Sequence, residues 1–138
     1  MMTERFQAKY RVTIGDINYG GHLGNDKALL IFQDARLQFF DSFGFSEKDI
    51  GDGRGIIMVE SGVRYLREVF LHEELSVWIS VSQIHGKKFT LQYEIEREPA
   101  LEPVLRGFTT FLVFDYSERK VAVMPAEFKE RILPYISA

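Results

Sequence analysis

Most of the chemistry this chain can offer is held in twelve residues near its N-terminus. The run Gly15-Asp16-Ile17-Asn18-Tyr19-Gly20-Gly21-His22-Leu23-Gly24-Asn25-Asp26 combines two carboxylates, two side-chain amides and one of only three histidines. It stands directly before a long apolar segment with helical spacing. The start of a helix presents unpaired N–H groups and a partial charge of about +0.5. Such a place stabilises a carbonyl oxygen as it becomes an oxyanion. The glycines let backbone approach a ligand closely. Asp16, Asn18, His22 and Asn25 can supply a base, an orienting amide and a proton carrier. The same residues also serve plain structural ends. Asn25 and Asp26 suit a helix cap and a first-turn acid, and Asn18 and the glycines suit a turn. Spacing alone leaves both open.

The elements that must position this run are legible from periodicity. Residues 6–13 alternate, with Phe6, Ala8, Tyr10 and Val12 on one face, which predicts a half-buried strand. Residues 25–43 place Ala28, Phe32, Ala35 and Phe39 at helical spacing, with Leu29, Leu30, Ile31 and Leu37 on other faces. A helix apolar on most of its circumference is expected to be buried. Asn25 is its expected N-cap and Gly44 its C-cap. From residue 56 onward the period is two. Strands are predicted over 56–69, 75–84, 89–97 and 104–116, with Gly62 as a bulge in the first of them. A turn at His85-Gly86-Lys87 joins the second and third. Pro125 then opens a short amphipathic helix that Pro134 curtails. One segregated helix among consecutive antiparallel strands is the α+β class.

Composition narrows the functions. The chain has 138 residues, room for one domain over 1–138. Zero cysteine excludes a disulfide scaffold, a thiolate zinc site, an iron–sulfur cluster and a cysteine nucleophile. Three histidines are too few for a histidine metal cage, so no metal site is expected. The formal charge of −3 argues against a nucleic-acid partner. No apolar run approaches the ~20 residues of a membrane span. The first residues carry charges without an apolar stretch, so no signal peptide and a cytoplasmic location are expected. One helix cannot cover a five-stranded sheet, which calls for at least a dimer.

The stretch Val12-Thr-Ile-Gly-Asp-Ile-Asn-Tyr-Gly-Gly-His-Leu-Gly-Asn25, followed by Phe32-Gln-Asp-Ala-Arg36, resembles the signature of the hotdog-fold thioesterases. The nearest branch is that of the hydroxybenzoyl-CoA thioesterases and acyl-CoA thioester hydrolases. Its pattern is similar to D-x-D-x-x-G-H-V-N-N and then F-x-E-A-R. Gly62-Val-Arg-Tyr-Leu-Arg67 resembles the same group's strand motif D-Y-L-R-P. The resemblance spans roughly residues 8 to 116, in the right order. It implies a long central helix wrapped by a curved antiparallel sheet of about five strands. It also implies a homodimer or dimer of dimers with sites at the subunit interface, an acyl-CoA substrate (or an acyl carrier protein), and no cofactor beyond the coenzyme A of the substrate.

One departure matters. The position that carries the catalytic carboxylate in that branch is Asn18 here, and an amide is neither nucleophile nor base at neutral pH. Asp16 survives two residues earlier. Asp34, the acidic residue of the Phe32–Arg36 motif, is the other candidate base. Asn18 and Asn25 would then orient water, and His22 would shape the loop or carry a proton. Glu60 and Ser61 are expected near the partner's site, with cross-strand pairing as their alternative. Lys87, Lys88, Arg64 and Arg67 are candidate contacts for CoA phosphates, and His72 is given no role. Gly15-Asp16-Ile17-Asn18 with His22 is also similar to the hydratase motif G-D-x-N-P-L-H. Here the Pro is missing and the His lies one residue further on. An enoyl-CoA hydratase and a non-catalytic acyl-CoA-binding domain are therefore the two alternatives.

Overall fold

The computed structural model describes residues 4–137. Strand β1 (Phe6–Arg11) leads through a 3-10 turn at Ile14–Asp16 and the glycine-rich loop to helix α1 (Ala28–Asp41). Strands β2 (Gly55–Tyr65), β3 (Glu74–His85), β4 (Lys88–Arg97) and β5 (Glu102–Asp115) follow. The two-residue strand β6 (Lys120–Val121), helix α2 (Ala126–Ile132) and a 3-10 turn at Leu133–Tyr135 end the chain. The sheet order is β1-β3-β4-β5-β2, all antiparallel, with β6 alongside β5. Four long strands and the shorter β1, wrapped about one long helix, make this a hotdog fold of the α+β class.

Period two decides what each strand contributes. The inner face collects Val77, Ile79, Val81, Leu91, Tyr93, Ile95, Leu105 and Phe111, all essentially inaccessible. Against it α1 lays Ala28, Ile31, Phe32, Ala35, Phe39 and Phe40. Phe32 stacks flat on Tyr93 with ring centroids 4.3 Å apart. Close approach there depends on Gly107. A Cβ at that position would lie 2.6 Å from the Phe32 ring and 2.3 Å from the Gly62 carbonyl. A polar strand runs through this apolar core. Arg36, 3% exposed, donates to Glu47 through Nε at 3.0 Å and to the Tyr93 hydroxyl through one terminal nitrogen at 3.1 Å. Tyr93 and Thr109 share a further bond at 2.7 Å. Each side chain of this Arg36–Tyr93–Thr109 network has its partner, which is the condition for tolerating it.

Three local expectations need correction. The helix starts at Ala28, and its N-cap position is Lys27, with αR dihedrals and no side-chain cap. Asn25 is therefore not the cap. Residues 24–27 form a tight turn instead, closed by Lys27 N–H donating to the Gly24 carbonyl. The helix is also not buried all round, since Leu29, Leu30 and Leu37 are 40–52% exposed. The bulge in β2 falls between Met58 and Glu60, not at Gly62. Gly62 is glycine because a Cβ there would lie 2.5 Å from the Phe108 ring. The C-terminal end of α1 is as expected. Gly44 has φ +80°, its N–H donates to the Asp41 carbonyl, and the Phe45 N–H reaches back to Phe40, the Schellman arrangement.

The helix covers one side of the sheet only. Its backbone runs closest to β1 and β3, and Phe32 and Arg36 reach across to Tyr93 of β4 and to Gly107 and Phe111 of β5. Across β2 the inner residues Met58, Ser61 and Tyr65 stay exposed. No helix among the described residues is long and apolar enough to cross a membrane.

Candidate active site

The glycine-rich loop folds as a narrow hairpin with Asn18 at its base. Asn18 N–H donates to the His22 carbonyl at 2.8 Å, and Gly21 N–H to the Asn18 carbonyl at 3.1 Å. The Asn18 side-chain oxygen accepts from Gly20 N–H at 2.9 Å and from His22 N–H at 3.3 Å. Asn18 thus holds the loop closed with its own backbone and amide oxygen. Asp16 holds the loop's other end. Its carboxylate is buried, and one oxygen accepts from the Tyr10 hydroxyl at 2.7 Å, the Thr13 N–H at 2.9 Å and the Thr13 hydroxyl at 3.0 Å. Burial, and then the Asp16 carboxylate, push the Tyr10 phenol up to about 12.

The loop's far side meets the end of β2. Leu23 N–H donates to the Val69 carbonyl at 2.7 Å. The Tyr65 hydroxyl donates to the Asn25 carbonyl. Arg97 fixes the facing segment. It donates to the Glu68 carbonyl at 2.7 Å and to the Glu73 carboxylate at 2.8 Å. Between these walls lies a groove of about 240 Å³, lined by His22, Leu23, Asn25, Tyr65, Leu66, Arg67, Glu68, Val69 and Leu105.

His22 is half-buried in that lining, with Nδ1 3.1 Å from the Leu23 carbonyl. A carbonyl can only accept, so Nδ1 carries the proton. With the proton on Nδ1, Nε2 is the ring nitrogen that can accept one. The helix start lies three residues beyond Asn25; Leu30 N–H donates to the Lys27 carbonyl, and the N–H groups of Ala28 and Leu29 have no intrahelical acceptor. The groove therefore sets an imidazole and an amide side chain around one apolar-floored hollow, a few residues before the helix begins. That is the equipment for adding water to a polarised carbonyl. Among the described residues no group of three or more His, Asp or Glu could hold a metal ion.

Of the sequence candidates, His22, Asn25 and Arg67 are brought together here. Asn18 and Asp16 lie behind them as the loop's internal bonds. Asp34 is exposed, with Gln38 Nε2 donating to its carboxylate at 2.7 Å. It lies near Tyr10, on the β1 side of the helix. Arg64 lies on the outer face of β2, directly opposite Arg106. Lys87 and Lys88 occupy the β3–β4 hairpin. Lys88 is in register with Leu112, whereas Arg64 is in register with Arg106. Six residues of strand make that roughly 20 Å. Ser61 faces inward beside Thr109, and Glu60 outward beside Thr110. Tyr65 and Glu68 were not among the candidates. Tyr65 carried a usable signal, as the aromatic of the Gly62–Arg67 strand motif.

The fold and this site define a thioesterase-like protein, and comparison with known proteins agrees. The model of the thioesterase-like superfamily matches residues 12–132, and the chain belongs to that superfamily. It is similar to the long-chain acyl-CoA thioesterase FadM of Escherichia coli (strain K12). The two are 25% identical over 114 residues, covering 80% of this chain and 84% of FadM. The fold is that of Slr0204, a 1,4-dihydroxy-2-naphthoyl-CoA thioesterase from Synechocystis. There the TM-score is 0.85 at 20% identity, over 94% of this chain and 96% of that one. It is also that of SAV2348 from Staphylococcus aureus, solved in complex with CoA. That match has a TM-score of 0.86 at 20% identity, over 98% of this chain and 85% of that one.

Proposed function

We propose that this chain hydrolyses the thioester of an acyl-CoA to the free acid and the thiol, as one domain acting in an assembly of at least two copies. The observation that carries the reading is the groove between the His22–Asn25 loop and the end of β2. The thioester carbonyl lies toward the start of α1, where first-turn N–H groups take up the developing negative charge. Water is held by the Asn25 amide. Its proton passes to Nε2 of His22 as the C–O bond forms. The tetrahedral intermediate then expels the thiolate, which recovers the proton from the imidazolium. In this reading Asp16 and Asn18 keep the loop in shape and Asp34 stays outside the chemistry. Arg67, beside the groove, meets a phosphate of the CoA, while Lys87 and Lys88 lie too far along the sheet to share that task.

The similar proteins divide by acyl group. FadM is named for long-chain acyl-CoA and Slr0204 for an aromatic one. The groove's apolar floor of Leu23, Leu66, Val69 and Leu105, and the uncovered inner face of β2 beside it, support an extended alkyl chain. The experiment is thiol release from a panel of saturated acyl-CoAs and one hydroxyaryl-CoA, with crotonyl-CoA hydration measured in parallel. Release that rises with chain length is expected. Hydration without thiol release would assign the hydratase reaction instead, and binding with neither product would make the domain a carrier.

A further inference from the structure

Tyr65 is fixed at its backbone and loose at its side chain. It ends β2 in register with the buried Leu105 of β5. The next two N–H groups, those of Leu66 and Arg67, both donate to the Val104 carbonyl. The side chain has a single hold. Its hydroxyl donates to the Asn25 carbonyl, the one hydrogen bond it makes among the described residues, and the residue is 48% exposed. That bond crosses from strand to loop and lays the side chain as a bar over one end of the groove. At the other end Leu23 N–H donates to the Val69 carbonyl. This second tie is backbone to backbone, so no side-chain rotation opens it.

Tyr65 is also the one residue of β2 that lines the groove. Val63, Ser61 and, past the bulge, Met58 continue the same inner face of the strand. Ser61 and Met58 are exposed, and Val63 packs half-buried against the core. Opposite Val63 stands Gly107, where the Phe32 ring fills the place of a side chain. A largely apolar strip therefore runs on from the groove, and Tyr65 stands between the two.

We propose that Tyr65 sets the acyl-chain preference of this site, by dividing the groove from the strip beyond it. The proposal takes the acyl-CoA substrate of the preceding reading and adds the residue that measures its chain. A short chain stays within the groove and leaves the hydroxyl bond intact. A longer chain reaches the inner face of β2 when the Tyr65 side chain rotates away. That breaks the bond to Asn25 and needs no movement of the strand. Exposed side chains change rotamer fast, so the effect falls on affinity and not on the rate of entry. Each methylene buried in the groove should tighten binding by about fourfold. The chain that first meets Tyr65 must offset the broken bond, worth roughly fivefold in affinity. Past that point the gain resumes along Val63 and Met58. Affinity against chain length then shows a step in place of one slope.

The test is a series of S-alkyl-CoA thioethers of increasing chain length, with dissociation constants measured by isothermal calorimetry. These compounds have no thioester to hydrolyse, so the readout is independent of turnover. In the parent the dissociation constant should fall with each methylene, pause, and fall again, lagging the early slope by roughly fivefold. Tyr65→Phe keeps the ring and removes the bond, and should cut the lag to below about twofold. Tyr65→Ala should show no lag. One unbroken slope in the parent overturns the proposal, and so does a lag that persists in both variants. A parent that shows the step yet releases no thiol from any acyl-CoA overturns the hydrolytic reading and leaves the role of Tyr65 standing. A parent that binds no member of the series overturns both. Circular dichroism melts of the three proteins separate each result from misfolding.

Discussion

The two edges of this sheet have opposite fates. Strand β1 is short, and α1 packs against it. Gln38 of α1 donates to the Lys9 carbonyl, and Tyr10 is tied through Asp16 to the turn that follows. Lys9 and Arg11 pair with Glu98 and Glu74. Everything this edge needs comes from its own chain. Strand β2 is nearly twice as long, carries exposed apolar residues and unpaired charges, and has no helix over its inner face. The groove opens at the end of this second edge. A fold can thus finish one side for stability and leave the other open beside a groove. Substitutions on the finished side should change stability and spare chemistry. Substitutions on the open side should do the reverse.

The largest effect on stability is expected at Phe32, which α1 presses onto Tyr93 and Gly107. Phe32→Ala should cost about 3–5 kcal/mol by denaturant unfolding. A loss below ~1 kcal/mol would mean that the helix is not anchored there. Asp16→Ala comes next. It strands the Tyr10 hydroxyl and the Thr13 N–H and should cost about 1–3 kcal/mol, while the folded fraction keeps its turnover per mole. Full stability in that variant would remove Asp16 from the finished side.

Asn25→Ala belongs to the open side. Asn25 is not the helix cap, so its stability should stay within ~0.5 kcal/mol of the parent while thioester hydrolysis slows. A loss near 1 kcal/mol, the usual worth of a cap, would restore the capping role. The smallest effect is spectroscopic. Tyr10 ionises near 12 when folded and near 10 when unfolded. Its contribution is intact below pH 10 and is lost as pH rises toward 12. Tyr10→Phe should remove one late-ionising phenol from an ultraviolet titration and flatten the fall in stability over that window. Loss of a phenol that titrates at about pH 10 instead would place Tyr10 in water.

The strands were readable in the residues because alternation and burial coincide in them. Leu91, Tyr93 and Ile95 mark the inner face with no help from three dimensions. The position of Asp34 was readable too, in principle. Ala28, Phe32, Ala35 and Phe39 define the buried stripe, and residue 34 lies about 100° from residue 35 and about 200° from residue 32. Treating the helix as apolar all round hid that phase. The bulge was misplaced because glycine marks both bulges and close contacts, and at Gly62 it is the Phe108 ring that requires it. The start of α1 was misplaced because Asn25 has the cap's chemistry, while the turn closed at Gly24 delays the helix by two residues. The groove itself was out of reach. It joins a loop at residues 22–25 to a strand end some forty residues later, through Tyr65 and Val69.

The most direct test of the account is the rate of thiol release by two single variants on the best acyl-CoA of the panel. His22→Ala removes the imidazole proposed as base and should lower the rate by about 10²–10⁴-fold at unchanged melting temperature. Asp34→Asn alters an exposed residue on the finished side and should leave the rate within a few-fold. If Asp34→Asn abolishes hydrolysis while His22→Ala keeps the parent rate, the chemistry lies on the closed side of the molecule and the account is wrong.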